Sequence, residues 1–109
     1  MKQFNNADVV KAKGNSLSLD DMKALILPIT TEYPITKITL FGSRANGTNK
    51  EDSDVDLIME FCDAISLLTL AQIKYELEDI LGVSVDVIHG PIRDTDLIEV
   101  GKVVELYAA

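Results

Sequence analysis

FGSRANGTNKEDSDVD, running from Phe41 to Asp56, joins two apolar runs through a turn and a polar loop that folding alone does not demand. Upstream, Ile38-Thr39-Leu40-Phe41 reads as a strand ended by Gly42. With no Cβ, that glycine lets backbone N–H groups turn toward a ligand without steric conflict. A short helical or coiled segment beginning near Ser43 brings amides and a hydroxyl together, which is the makeup of an anion cradle. Downstream, DVDLIMEF reads as a second strand. Asp54 and Asp56 are two residues apart, so they leave the same face, roughly 7 Å apart along the strand. Val55, Leu57, Met59 and Phe61 take the opposite, apolar face. Two carboxylates so placed can share hard divalent cations that also bind phosphate oxygens, as phosphoryl and nucleotidyl transfer require.

Such chemistry wants a third carboxylate, to complete the metal ligands or to take the nucleophile's proton. In Val83-Ser84-Val85-Asp86-Val87 the valines alternate with Ser84 and Asp86, a period of two that marks a half-buried strand. If this strand neighbours DVDLIMEF in one sheet, Asp54, Asp56 and Asp86 share its polar face.

The Gly-Ser pair, the ten-residue spacer and Asp54-Val55-Asp56 resemble the signature of the DNA polymerase β-like nucleotidyltransferase superfamily, and most closely its minimal nucleotidyltransferases. These are often the antitoxin half of a toxin–antitoxin pair. The resemblance runs from about Leu19 to Tyr107 and takes in the VDVI strand and the closing VVELY segment. Asn46 departs from it, standing where many relatives carry a second Arg. The resemblance implies that Gly42 and Ser43 hold the nucleotide's terminal phosphates and that Arg44 contacts phosphate or stacks on the nucleotide. It further implies that Asp54 and Asp56 bind two Mg²⁺ ions, and that Asp86 holds one metal and acts as general base. The implied reaction moves AMP from ATP to a hydroxyl, with pyrophosphate leaving.

Two plainer readings of the same residues compete. Asp52, Asp54 and Asp56 also spell the start of a calcium loop, but Leu57 occupies the position where that loop needs Gly for its sharp turn. A solvated acidic turn before a strand leaves the Gly-Ser spacing unexplained.

The rest of the chain sets the frame. At 109 residues it has the length of one domain, and 47% apolar with 26% charged residues is a globular composition. A net charge of −8 disfavours capture of a nucleic acid backbone and makes a basic protein the natural complement. No run reaches the length of a membrane span and no signal-peptide segment opens the chain, so the expected location is cytoplasmic. Cys62 is the only cysteine, so it forms no internal disulfide, and its place at a strand end reads as a small buried apolar residue.

Residues 1–15 read as a mobile leader or short added element, and 16–109 as a single nucleotidyltransferase domain. Ser18 and Asp21 form a capping-box variant opening a helix, with Leu17 and Met22 as its hydrophobic staple. Met22, Leu25, Ile26 and Ile29 face the sheet, and Pro28 kinks or ends the helix. Asp63 is placed to cap a long helix from Ala64 to Leu81, stopped by Gly82. Leu67, Leu70 and Ala71 widen its apolar surface beyond one stripe, which fits a deeply packed helix better than an interface. His89 reads as a surface or hydrogen-bonded residue outside the mechanism. Asp94 caps a last helix in which Leu97, Val100, Val104 and Tyr107 recur at helical spacing.

The expected architecture is therefore α/β: a small mixed sheet of three or four strands, helices on its apolar face, and the carboxylate face open. A chain of this length has no room for a second, acceptor-binding lobe, so a partner must complete the acceptor site. The resemblance names that partner as a helical HEPN-type protein, adenylylated on a hydroxyl such as a Tyr. Two alternatives stand beside it: an antitoxin that neutralises by binding alone, and a subunit of an antibiotic nucleotidyltransferase that would build its cleft as a homo-oligomer.

Overall fold

The computed structural model describes residues 17–92 and 102–109. The proposed leader, residues 1–15, and the segment around Asp94, Leu97 and Val100 lie outside the described residues. Helix α1, Leu19–Ile26, opens as its sequence dictates. The Ser18 hydroxyl accepts from the Asp21 N–H at 3.0 Å while the Asp21 carboxylate accepts from the Ser18 N–H at 3.1 Å. Pro28 closes α1 as expected, for the α-helix stops at Ile26. It sits at the start of a 3-10 helix, Leu27–Thr31, where its missing N–H costs nothing. Leu17, Met22, Ile26 and Ile29 are all buried, so the hydrophobic staple and the inward stripe form as expected.

Strand β1, Ile35–Phe41, leads into a one-turn helix α2, Ser43–Asn46, and a loop that returns the chain to β2, Val55–Phe61. Helix α3, Leu67–Leu81, then crosses over to β3, Val85–His89, and β4, Val104–Ala108, closes the domain. The strand order is β3-β2-β1-β4. β1 runs antiparallel to both β2 and β4, whereas β2 and β3 are parallel, joined by the helical crossover that parallel strands need. Ile38, Leu40, Val55, Leu57, Met59 and Val85 on the strands and Ile73, Leu77 and Leu81 on α3 have no exposed surface. Burying each such side chain stabilises the fold by about 1.5–3 kcal/mol. Tyr33 ties the end of the 3-10 helix to α3 by donating its hydroxyl to Glu76 Oε1 at 2.5 Å, and that bond pushes its pKa up to about 12.

Four expectations need correction. The chain ends in a strand and not a helix: Val104 and Tyr107 have helical spacing, yet they lie in β4, whose backbone satisfies the edge of β1 that would otherwise stay open. α3 begins at Leu67 and not at Ala64, because the Ser66 hydroxyl, not Asp63, caps it by accepting from the Thr69 N–H at 3.1 Å. Cys62 is exposed rather than buried. Leu67 and Leu68 are 84% and 72% exposed, so the wide apolar surface of α3 is not packed at its amino end. No helix among the described residues is long and apolar enough to cross a membrane.

Candidate active site

Strand register builds the site. Asp56 lies directly across from Asp86 in the parallel pair and from Phe41 in the antiparallel pair. The end of β1, the start of β2 and the start of β3 therefore meet at one edge of the polar face. Carboxylate oxygens of Asp54, Asp56 and Asp86 all lie within 4.8 Å of one another, with Asp54 and Asp86 exposed and Asp56 half-buried. Burial raises the pKa of Asp56, and the neighbouring Asp86 and Asp54 carboxylates push in the same direction. An oxygen-only donor set this dense fits a hard divalent cation, whose charge would reverse that repulsion.

Gly42 makes the convergence sterically feasible. Its φ is +78°, and a Cβ built there would come within 2.3 Å of Asp56 Oδ2. Here glycine is required twice, by backbone conformation and by the close approach of a carboxylate. From Gly42 the chain enters α2. The Gly42 carbonyl accepts from the Ala45 and Asn46 N–H groups at 3.0 and 3.1 Å, and the Ser43 carbonyl accepts from Thr48 N–H at 3.0 Å. Ser43 thus opens a single helical turn directly after the glycine that packs against Asp56. All six residues singled out in the sequence as site residues, Gly42, Ser43, Arg44, Asp54, Asp56 and Asp86, are gathered at this edge.

Arg44 holds a position that its sequence context did not reveal. It is 5% exposed, and its guanidinium donates from Nε and Nη2 to the Ser53 carbonyl at 3.1 and 2.9 Å and more weakly to the Glu51 carbonyl at 3.5 Å. Burial lowers its pKa and the Asp54 charge works the other way. Its visible task is to clamp the 47–53 loop onto α2, which fixes the direction in which Asp54 enters β2. The loop is further closed by the Lys50 N–H, which donates to Ser53 Oγ at 2.7 Å.

Glu78 is a second residue the sequence did not single out. From α3 its carboxylate accepts from Val85 N–H at 3.0 Å and from Lys74 Nζ at 2.6 Å. These bonds, the Lys74 one foremost, lower its pKa and pin the outer edge of β3 one residue before Asp86. Nothing in the sequence pairs Glu78 with Val85. His89 stands against the Phe61 ring at 5.1 Å, with Nδ1 2.7 Å from the Gly90 carbonyl oxygen, at the far ends of β2 and β3 from the carboxylates.

Residues 23–105 match the family pattern described as Nucleotidyltransferase domain. A candidate protein adenylyltransferase of Methanocaldococcus jannaschii is 39% identical over 88 residues, which cover 76% of this chain and 95% of that protein. Among solved structures, a toxin–antitoxin crystal structure with AMP-PNP superposes with a TM-score of 0.68 at 21% identity, covering 80% of this chain and 73% of that one. A complex of a tri-AMPylated Shewanella oneidensis HEPN toxin with its MNT antitoxin gives a TM-score of 0.56 at 17% identity, covering 81% and 73%. At these identities the two structures speak for the fold.

Proposed function

The chain belongs to the nucleotidyltransferase domain family, and from that premise we propose that it moves AMP from ATP to a hydroxyl of a helical HEPN-type protein, a Tyr, and thereby acts as an antitoxin. The observation that carries this reading is the packing of Gly42 against Asp56: a backbone with no room for a Cβ beside three converging carboxylates fits a metal-bound triphosphate. The M. jannaschii relative and the AMPylated toxin complex lend it support.

Asp54, Asp56 and Asp86 would hold Mg²⁺, which when bound polarises phosphate oxygens and neutralises charge developing on them. Gly42 and Ser43 bind the terminal phosphates and orient the α-phosphorus. Arg44 acts through the loop it clamps, keeping Asp54 aimed. Asp86 takes the proton of the acceptor hydroxyl as that oxygen bonds to the α-phosphorus. The α–β phosphoanhydride bond breaks in the same event, and its electron pair leaves with pyrophosphate.

Radiolabelled AMP stably attached to the partner in the presence of the wild type, and absent with Asp56→Ala, is the expected result. A second reading, neutralisation by binding alone, is favoured by one feature: Leu67, Leu68 and Tyr75 stand exposed on α3, which packs on the face opposite the carboxylates. If Asp56→Ala still protects cells from the toxin, binding is the function.

A further inference from the structure

Beside the carboxylate triad lies a cavity of about 490 Å³ lined by Asp52, Glu78, Gly82, Val83 and Ser84, a volume within the range of small-ligand pockets. Its place follows from the strands. Ser84 stands two residues before Asp86, and its carbonyl accepts from the Val55 N–H at 2.9 Å. Asp52 stands two residues before Asp54, on the loop that Arg44 clamps. The cavity therefore adjoins the triad on the β3 flank, whereas Gly42 and Ser43 adjoin it on the β1 flank.

That order has a stereochemical consequence. In-line phosphoryl transfer places the attacking and leaving oxygens on opposite sides of phosphorus. With the leaving pyrophosphate on the Gly42 side, the acceptor arrives from the β3 side, past the cavity.

The lining has one electrostatic sign. Glu78 is held ionised by Lys74 and by the Val85 N–H. Gly82 is the left-handed cap at the carboxyl end of α3, where the carbonyls of the last turn present negative charge. Asp52, which also lines the cavity, is exposed. Lys74 offsets one carboxylate, and Asp52 with the helix end remain. A wall of this sign rejects the polyanionic nucleotide and leaves it the β1 flank.

We propose that this cavity is the acceptor-side subsite of the transferase and takes a cationic side chain, Lys or Arg, next to the hydroxyl that receives AMP. The inference rests on the nucleotidyl-transfer reading above. It assigns Asp52, which no step of that reaction uses, as the specificity determinant.

The test compares two fluorescein-labelled peptides of equal length, a central Tyr flanked by Arg in one and by Glu in the other. Binding is followed by anisotropy with Mg²⁺ and AMP-PNP, and transfer with radiolabelled ATP. Wild type binds the Arg peptide about tenfold more tightly, and Asp52→Lys abolishes most of that preference. Asp63→Lys makes the same charge change in an exposed residue past the far end of β2 and keeps the preference within about twofold. Equal losses in both variants mean that net charge alone attracts the peptide, and the proposal falls. It falls too if wild type binds neither peptide or binds both alike. Selective binding of the Arg peptide, with neither the peptide nor the HEPN-type partner receiving AMP, sinks the nucleotidyl-transfer reading and the acceptor role with it, and leaves only a cation-binding cavity.

Discussion

The two faces of β2 make opposite contributions to the protein. Val55, Leu57 and Met59 point into the core with no exposed surface, and each lowers the free energy of the fold. Asp54 and Asp56, interleaved with them, converge on Asp86 within 4.8 Å, and the crowding makes Asp56 harder to ionise. The apolar face is a scaffold that stabilises itself. The carboxylate face is held in place by that scaffold against its own repulsion, which a bound cation or protonation of Asp56 relieves. A strand that alternates every residue allows both in seven positions.

The largest effect on stability is expected from the apolar face. Leu57→Ala leaves a cavity in a site with no access to solvent and lowers the unfolding free energy by about 3 kcal/mol, read from urea denaturation. A loss below about 1 kcal/mol would mean that the core is not the scaffold described here. Gly42→Ala acts at the join between the faces. It costs about 2 kcal/mol through left-handed strain and displaces the Asp56 carboxylate, so nucleotide binding falls with it. A variant that binds ATP as the wild type does would contradict the close packing.

Asp56→Asn separates the faces most sharply. Because the folded chain raises the pKa of Asp56, its stabilising contribution is complete below the ordinary carboxylate range and is lost as pH rises through the raised value. The metal-free wild type therefore loses stability across mildly acid pH toward neutrality. Glu32, raised by its bond to Glu76, titrates in the same direction, so the informative curve is wild type minus variant. At pH 7 the metal-free Asn variant melts higher than the wild type, because the repelled charge is gone, and is inactive. An unchanged or lower melting temperature would break the contrast. The smallest effect belongs to Leu68→Ala, on the exposed end of α3, which changes stability by less than about 0.5 kcal/mol. A larger loss in the isolated chain would show that this surface is packed.

Much of this is legible in the sequence itself. The Gly42 turn and the Asp54-Val55-Asp56 alternation are local patterns, and the period of two in residues 83–87 puts Asp86 on their face once β3 lies beside β2. The capping box at Ser18 and Asp21 is equally local. What escaped depends on distant partners. Val104 and Tyr107 have a helix's spacing, and only the open edge of β1, more than sixty residues earlier in the chain, makes them a strand. Ser66 and Asp63 are both acceptable caps, and the choice between them is made by how α3 seats on the sheet. Arg44 reads in a linear motif as a residue that contacts phosphate or stacks on the nucleotide, and the carbonyls that the folded loop brings back to its guanidinium are not visible there. The Glu78 to Val85 contact and the cavity beside it exist only once α3 and β3 are side by side.

The central claim is that one end of this sheet is a metal-dependent nucleotide site, and calorimetry of ATP binding with and without Mg²⁺ tests it most directly. The wild type should bind ATP with Mg²⁺ and lose most of that affinity without it, and an Asp54→Ala, Asp56→Ala double variant should bind in neither condition. Binding that ignores Mg²⁺, or that survives in the double variant, would contradict the account.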